Sequence, residues 1–415
     1  PANETAHLHL HLGQARLDLG LPAKIDLAKA LALDPAAPEA LEGLGRAAGT
    51  AGWYRRALAA APDLAAARFN LARFFADGTP EIRRGLALAP AAGGGWFNLG
   101  VAHRHGERAL AAYRRALALD PAALDAAVNL ARLLGPALPS RARPALDRAL
   151  AVFPSAAPGW NERARLSQAG LDGDAFRFFA RALASDPADA SLYSNFLQQL
   201  LYDPGLSARR IFDRHLAFSR RHSRNRPRPR ATGNPRLRIG YVSADLNRHP
   251  VGIFLLAALS RRDRNASDVV CYASSGSVAG GGDAWTEKLR PLADRWVEAS
   301  ALDDDALEAR IRADRIDILV DLSGHTAGNR LPVFARRPAP LQASWLGYPG
   351  TAGLHEIDVV LADEAQVPAG HERDFVERIE RIEPGYLVYR PPEEAPEVSP
   401  LPALKKGHVT FGSLN

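Results

Sequence analysis

Methionine is absent from all 415 residues of the chain, and cysteine occurs once. A single thiol excludes an internal disulfide framework and suits a reducing compartment. Cys271 lies in the apolar run Val269-Val-Cys-Tyr272, which reads as a buried structural thiol rather than a nucleophile. The missing methionine, at position 1 included, points to a processed fragment or to residues missing within the chain. No run of about 18 apolar residues is free of charge, so no membrane span is expected. The opening Pro1-Ala-Asn-Glu-Thr5 has no signal-peptide character. Also missing are a G-x-G-x-x-G after the first strand-like run, a Walker-type lysine loop and a G-x-S-x-G elbow, which excludes a dinucleotide cofactor and the common hydrolase layout. His249, His325, His355 and His371 stand far apart with no metal-ligand spacing, so no metal is expected.

What is present divides the chain in two. Residues 1–222 are rich in alanine and leucine and repeat one second-helix signature, ending at Pro35, Pro62, Pro90, Pro121, Pro154 and Pro187. Each proline stops its helix because it lacks an N–H and disfavours α geometry in the residue before it. Nine residues later comes the next first-helix anchor: Leu44, Leu71, Leu99, Leu130, Arg163 and Phe196. This array resembles the tetratricopeptide repeat (TPR), with Trp96, Leu99, Gly100, Ala109, Tyr113, Ala116 and Pro121 on its pattern positions. Successive prolines are 27, 28, 31, 33 and 33 residues apart, against a period of about 34. The shortfall falls in the first helix and the inter-helix turn, which predicts poor stacking there. The residue before each anchor reads Gly43, Asn70, Asn98, Asn129, Glu162 and Asn195. An Asn amide both donates and accepts, so Asn70, Asn98, Asn129 and Asn195 are candidates to clamp the backbone of an extended peptide. The other reading, that these amides only cap or span helices, stays open from the repeats alone.

Residues 223–236 form a basic, proline-rich linker expected to be extended and solvated. No aromatic is interleaved among its arginines, so nucleic acid is not an expected partner. From Leu237 apolar runs recur at 237–242, 268–273, 316–322, 341–346 and 357–361, with helical stretches at 252–261, 284–293 and 303–313. Strand–helix alternation predicts a doubly wound parallel sheet over 237–390. A connector rich in proline follows, and 408–415 reads as the start of another strand.

Three glycine-bearing loops follow strand-like runs: Ser243–Gly252, Leu322–Asn329 and Trp345–Thr351. In the first, Asp245 stands four residues before His249, where a carboxylate could orient an imidazole for base or donor work. A structural histidine holding loop backbone is the competing reading. Gly324, His325, Thr326 and Gly328 could offer N–H groups and a hydroxyl to an anion. Leu346, Gly347, Tyr348 and Pro349 could form a tight turn that approaches a ligand closely. For both loops a purely structural turn remains open.

Together, Ser-Ala-Asp-x3-His-Pro-x-Gly252, Gly-His-Thr-x-Gly-Asn-Arg330, Phe334-Ala-Arg-Arg-Pro-Ala-Pro-x-Gln342 and Trp345–Gly353 resemble the protein O-GlcNAc transferase family (glycosyltransferase family 41), TPR array included. The resemblance implies an α plus α/β chain: an N-terminal TPR solenoid over 1–222, of about six repeats, then the Rossmann-like first lobe of a GT-B enzyme over 237–390. The second lobe would be largely missing, 391–415 giving only the connector and its first strand. The implied reaction is an inverting, metal-independent and cofactor-free transfer of N-acetylglucosamine from UDP-GlcNAc to Ser or Thr of a protein bound along the TPR groove. By the same resemblance His249 and Asp245 are the active-site pair, followed by Pro250. Leu346, Gly347, Tyr348 and Pro349 meet sugar and acceptor, and the Asn ladder meets the peptide. Val251 replaces a family threonine, which predicts a hydroxyl lost from the pocket. The uridine and diphosphate contacts would lie past Asn415, so the chain as it stands is expected not to catalyse transfer. Two alternatives stay open: a SPINDLY-like O-fucosyltransferase using GDP-fucose, and a non-catalytic peptide-binding scaffold. A bacterial, cytoplasmic setting is expected.

Overall fold

The computed structural model describes all residues except 1, 171–172, 232, 275–281, 392–394 and 413–415. Its contacts group into two compact units, Pro1–Pro187 and Ala188–Asn415.

The first unit is helical. Its helices pair in sequence: α1 (Ala2–Asp18) with α2 (Lys24–Leu33), α3 (Pro38–Ala48) with α4 (Ala51–Ala60), and α5 (Ala65–Leu71) with α6 (Thr79–Leu88). Then come α7 (Gly93–His103) with α8 (Glu107–Leu119), α9 (Leu124–Leu134) with α10 (Pro139–Val152), and α11 (Ala157–Gly170) with α12 (Ala175–Ser185). Close packing within a pair rests on glycine. A methyl placed on Gly45 of α3 would lie 2.6 Å from the Tyr54 ring of α4, and one on Gly100 of α7 would lie 2.5 Å from Tyr113 of α8. Three of the turns after a repeat proline are closed from the next helix. Arg68, Trp96 and Trp160, each six residues past its proline, donate to the carbonyls of Pro62, Pro90 and Pro154 at 2.6, 2.9 and 2.8 Å. The shortened repeats do not fail to stack. Between Pro62 and Pro90 the deficit is taken by α5, only 7 residues long and continued by a 3-10 turn over Ala72–Phe74, while Phe69 fills the space left by Gly85 and Gly95. Between Pro35 and Pro62 it is taken by the turn, with only Gly49 and Thr50 joining α3 to α4. The core is a chain of local clusters, as in solenoids generally.

The second unit opens with α13 (Ala190–Leu200) and α14 (Ala208–His222), then builds a sheet. In chain order follow β1 (Leu237–Ser243), α15 (Pro250–Leu259), β2 (Ser267–Ala273), α16 (Ala284–Leu289), β3 (Arg295–Glu298), α17 (Asp304–Ala313) and β4 (Ile318–Asp321). After these come α18 (Leu331–Phe334), β5 (Leu341–Ser344), β6 (Val359–Ala362), β7 (Arg378–Arg381) and α19 (Pro402–Lys406). Every pairing is parallel, in the order β3-β2-β1-β4-β5-β6-β7. The order reverses between β1 and β4, the switch point where open α/β sheets bind ligands. Cys271 is fully buried in β2, and burial pushes its thiol up to about 12.

Three expectations need correction. Helix α13 carries the last first-helix anchor, Phe196, and the array was expected to run to 222, yet α13 and α14 group with the sheet, because Ser194, His215 and Phe218 are buried in that unit. The basic linker is extended but not simply solvated: Arg228 pairs with Asp358, Arg236 with Asp268, and the Asn234 amide donates to Asp317 at 2.8 Å. Residues 408–412 form no strand, having no hydrogen-bonded neighbour strand among the described residues, and 413–415 lie outside them.

Candidate active site

The three loops lie at the carboxyl ends of β1, β4 and β5, which are neighbours in the sheet. They also touch. A methyl on Gly328 would lie 2.8 Å from the Ala244 methyl, one on Gly324 would lie 2.2 Å from Tyr348 Cβ, and one on Gly347 would lie 2.0 Å from the Leu322 carbonyl oxygen. Gly324 has φ +55 and Gly328 φ +76, so only glycine suits both the backbone and the gap.

The β1 loop delivers its functional residues to the start of α15. His249 is the N-cap, and Pro250 takes the first helical position, where its missing N–H costs nothing. His249 Nδ1 accepts from the Val251 N–H at 3.3 Å. That bond puts the proton of the neutral ring on Nε2, which has no partner among the described residues, on a side chain 45 % exposed. Asp245 Oδ2 lies 3.9 Å from Nδ1, an ion-pair distance rather than a hydrogen bond. Burial raises the Asp245 carboxyl above its ordinary range, and the nearby His249 pulls it partly back. Gly252 lets the loop fold over its own helix, since a methyl there would meet the Asn247 carbonyl oxygen at 2.2 Å. Val251 does not face a pocket: it is 4 % exposed and packs in the sheet's core beside Leu246 and Leu255. The hydroxyl expected to be lost from a pocket would therefore have pointed into that core.

In the β4 loop several groups expected to face an anion are already bonded. The Gly324 N–H is taken by Asp321 Oδ2 at 2.7 Å, and the Thr326 N–H and hydroxyl both donate to the Ser323 carbonyl. His325 is fully buried, with Nδ1 2.9 Å from Ser194 Oγ and Nε2 3.0 Å from the Ala352 carbonyl. A carbonyl can only accept, so Nε2 carries the proton and Ser194 donates to Nδ1. Burial holds this imidazole well below its ordinary pKa and therefore neutral. The expected direct role of His325, Thr326 and Gly324 towards a ligand gives way to one of holding the neighbouring turn.

In the β5 turn Leu346 adopts φ +67, a left-handed conformation rare for a branched residue. Leu346 and Gly347 are half-buried, Pro349 is exposed, and Tyr348 is buried with its hydroxyl 2.9 Å from His215 Nε2. The far end of the turn is held by Glu377, whose carboxylate accepts from the Thr351 hydroxyl at 2.6 Å and the Ala352 N–H at 2.9 Å. Burial raises Glu377 to about 7 and Asp321 to about 6. Ser194, His215 and Glu377 carried no motif, because they meet His325, Tyr348 and Thr351 from 131, 133 and 26 residues away. Asp321 bonds locally to the Ser323 and Gly324 N–H groups and was not singled out.

Of the Asn ladder, Asn70, Asn98 and Asn129 are half-buried on α5, α7 and α9 of the first unit, and Asn195 lies on α13 of the second. Asn70, Asn129 and Asn195 already have partners among the described residues. Asn70 donates to Glu42 at 2.6 Å, and Asn129 hydrogen-bonds the Tyr113 hydroxyl. Among the described residues no helix is long and apolar enough to cross a membrane.

Sheet order and site together define a Rossmann-like lobe with its loops gathered beside the switch point, in a chain that also carries a TPR-like helical array. The family model for Glycosyl transferase family 41 matches residues 213–389. A tomato (Solanum lycopersicum) protein named as the probable UDP-N-acetylglucosamine–peptide N-acetylglucosaminyltransferase SPINDLY is 34% identical over 238 residues, covering 56% of this chain and 26% of that protein. The Caenorhabditis elegans UDP-N-acetylglucosamine–peptide N-acetylglucosaminyltransferase is 36% identical over 145 residues, covering 35% of this chain and 12% of that one. Among solved structures, a mutant of the Thermobaculum terrenum O-GlcNAc transferase aligns with TM-score 0.55 and 29% identity, covering 88% of this chain and 61% of its own. The chain thus spans about a quarter of the length of the plant relatives it matches.

Proposed function

We propose that this chain supplies the acceptor-binding array and the first catalytic lobe of a protein O-glycosyltransferase, which moves a sugar from a nucleotide-sugar donor to Ser or Thr of a protein. The donor we assign is UDP-GlcNAc, and the residues we assign to the acceptor are Asn70, Asn98 and Asn129 of the first unit and Asn195 of the second. The observation that carries the reading is the placement of His249 at the head of α15, with Asp245 beside it and Nε2 open, at the switch point of the region that the family 41 model matches.

In an inverting transfer the acceptor oxygen forms the new bond to the sugar's anomeric carbon while the bond to the nucleoside diphosphate breaks, and the acceptor proton leaves. His249 as it stands is a donor at Nε2. To take a proton there it must carry its own on Nδ1, giving up the Val251 bond and turning that proton toward Asp245. Asp245 thereby supports the tautomer that a general base requires. The Leu346–Pro349 turn provides the wall against which sugar and acceptor are aligned.

Incubating the full-length protein with an acceptor protein and either UDP-GlcNAc or GDP-fucose, then weighing the product, tests the assignment. An N-acetylhexosamine increment is expected. A deoxyhexose increment would move the assignment to the fucosyl alternative, and no increment with no donor hydrolysis would leave a peptide-binding scaffold.

A further inference from the structure

Helix α14 reaches the β5 turn twice. Its His215 is 1 % exposed, and Nδ1 lies 2.8 Å from the Ile211 carbonyl one helical turn earlier. That carbonyl can only accept, so Nδ1 carries the proton and Nε2 is left to accept from the Tyr348 hydroxyl at 2.9 Å. The backbone of the same residue closes on the far end of the turn: a methyl on Gly353 would lie 2.5 Å from the His215 carbonyl oxygen, and Gly353 itself has φ +73. The His215, His325 and Tyr348 rings also pack against one another, with centroids 5.1 to 5.8 Å apart. Burial lowers the His215 pKa to about 4, so Nε2 stays an acceptor at any neutral pH.

A core that needed only volume here would be served by apolar side chains. A buried phenol and imidazole bonded to each other instead fix the rotation and depth of one ring, because either group left unpaired would be penalised. Tyr348 is the third residue of a turn whose first, Leu346, is held left-handed. Displacing that ring would release the turn.

We propose that His215 is a positioning residue for the transfer reaction, acting through the Tyr348 hydroxyl to fix the Leu346–Pro349 turn. This rests on the reading of that turn as the wall for sugar and acceptor. The test uses the full-length protein with Tyr348→Phe, which deletes the hydroxyl but keeps the ring against Gly324, and with His215→Leu and His215→Gln. Transfer kinetics and backbone hydrogen exchange of 345–353 are read on each. Tyr348→Phe and His215→Leu are expected to lower kcat at least tenfold with the donor KM within twofold. Both should speed exchange across 345–353 while β1 and β4 stay protected, and His215→Gln, which can still offer an acceptor oxygen, should recover part of kcat. Wild-type kcat in Tyr348→Phe overturns the proposal, with or without faster exchange. If the wild type transfers no sugar, the functional reading falls by itself, and unaltered exchange at 345–353 in Tyr348→Phe then overturns the clamp.

Discussion

His249 spends one ring nitrogen on the first turn of α15 and leaves the other to solvent, so its structural and chemical contributions can be separated. An N-cap bond is worth about 1 kcal/mol, whereas a positioned acid–base group contributes about 10²- to 10⁴-fold in rate. His249→Ala in the full-length protein should therefore lower the melting temperature by only a few degrees while reducing kcat by at least a hundredfold. Equal turnover in the two proteins would leave the residue with its cap alone. The proximity of Asp245 and His249 is legible in the sequence, since both lie in one loop. His325 was misread by the same logic. It sits in a glycine-rich loop that looks open, but its partners Ser194 and Ala352 are 131 and 27 residues away, and no local pattern announces them.

At the level of elements, glycine positions separate into those that a neighbour fills and those that face open space. Gly100 on α7 belongs to the first kind, with Tyr113 where a methyl would go; Gly52 on α4 has nothing within 4 Å. Gly100→Ala should destabilise the protein by about 1–3 kcal/mol through overpacking. Gly52→Ala should stabilise it by up to about 1 kcal/mol, the helix propensity difference. Urea midpoints of the two variants check this pair, and a neutral Gly100→Ala would mean that Tyr113 yields without cost. The helices of the array were legible because their prolines and anchors recur. So were β1, β2, β4, β5 and β6, each an apolar run. The two edge strands were not: β3 reads Arg-Trp-Val-Glu and β7 reads Arg-Ile-Glu-Arg. An edge strand has one neighbour and a solvated side, so charge is tolerated and even protective there. The apolar signal that marks a central strand is then absent.

At the scale of the whole molecule, the buried groups His215, His325, Asp321 and Glu377 set opposing pH dependences. His215, lowered to about 4, and His325, held well below its ordinary value, bind fewer protons folded than unfolded, so their contribution is lost as pH falls below about 6.5. Asp321, raised to about 6, and Glu377, raised to about 7, bind more protons folded. Their contribution is full below the ordinary carboxyl range and lost as pH rises through those values. The slopes overlap and largely cancel between about pH 4.5 and 6.5, so the wild-type melting temperature should change little across that window. Glu377→Gln removes one carboxylate term and should leave a profile that climbs from about pH 5 to 7.5; a curve parallel to the wild type would contradict this balance. The placement of α13 and α14 has a consequence for how such a chain can change length. Helix α13 carries the last repeat anchor, yet its Ser194 and the His215 of α14 are committed to the β4 and β5 loops. Whole repeats can be gained or lost ahead of Pro187 without altering either side chain. A duplication inserted after His222 would instead set a copied helix pair between that clamp and the linker that leads into β1. Variation in array length is therefore expected at the amino-terminal side, with the last helix pair inherited together with the sheet.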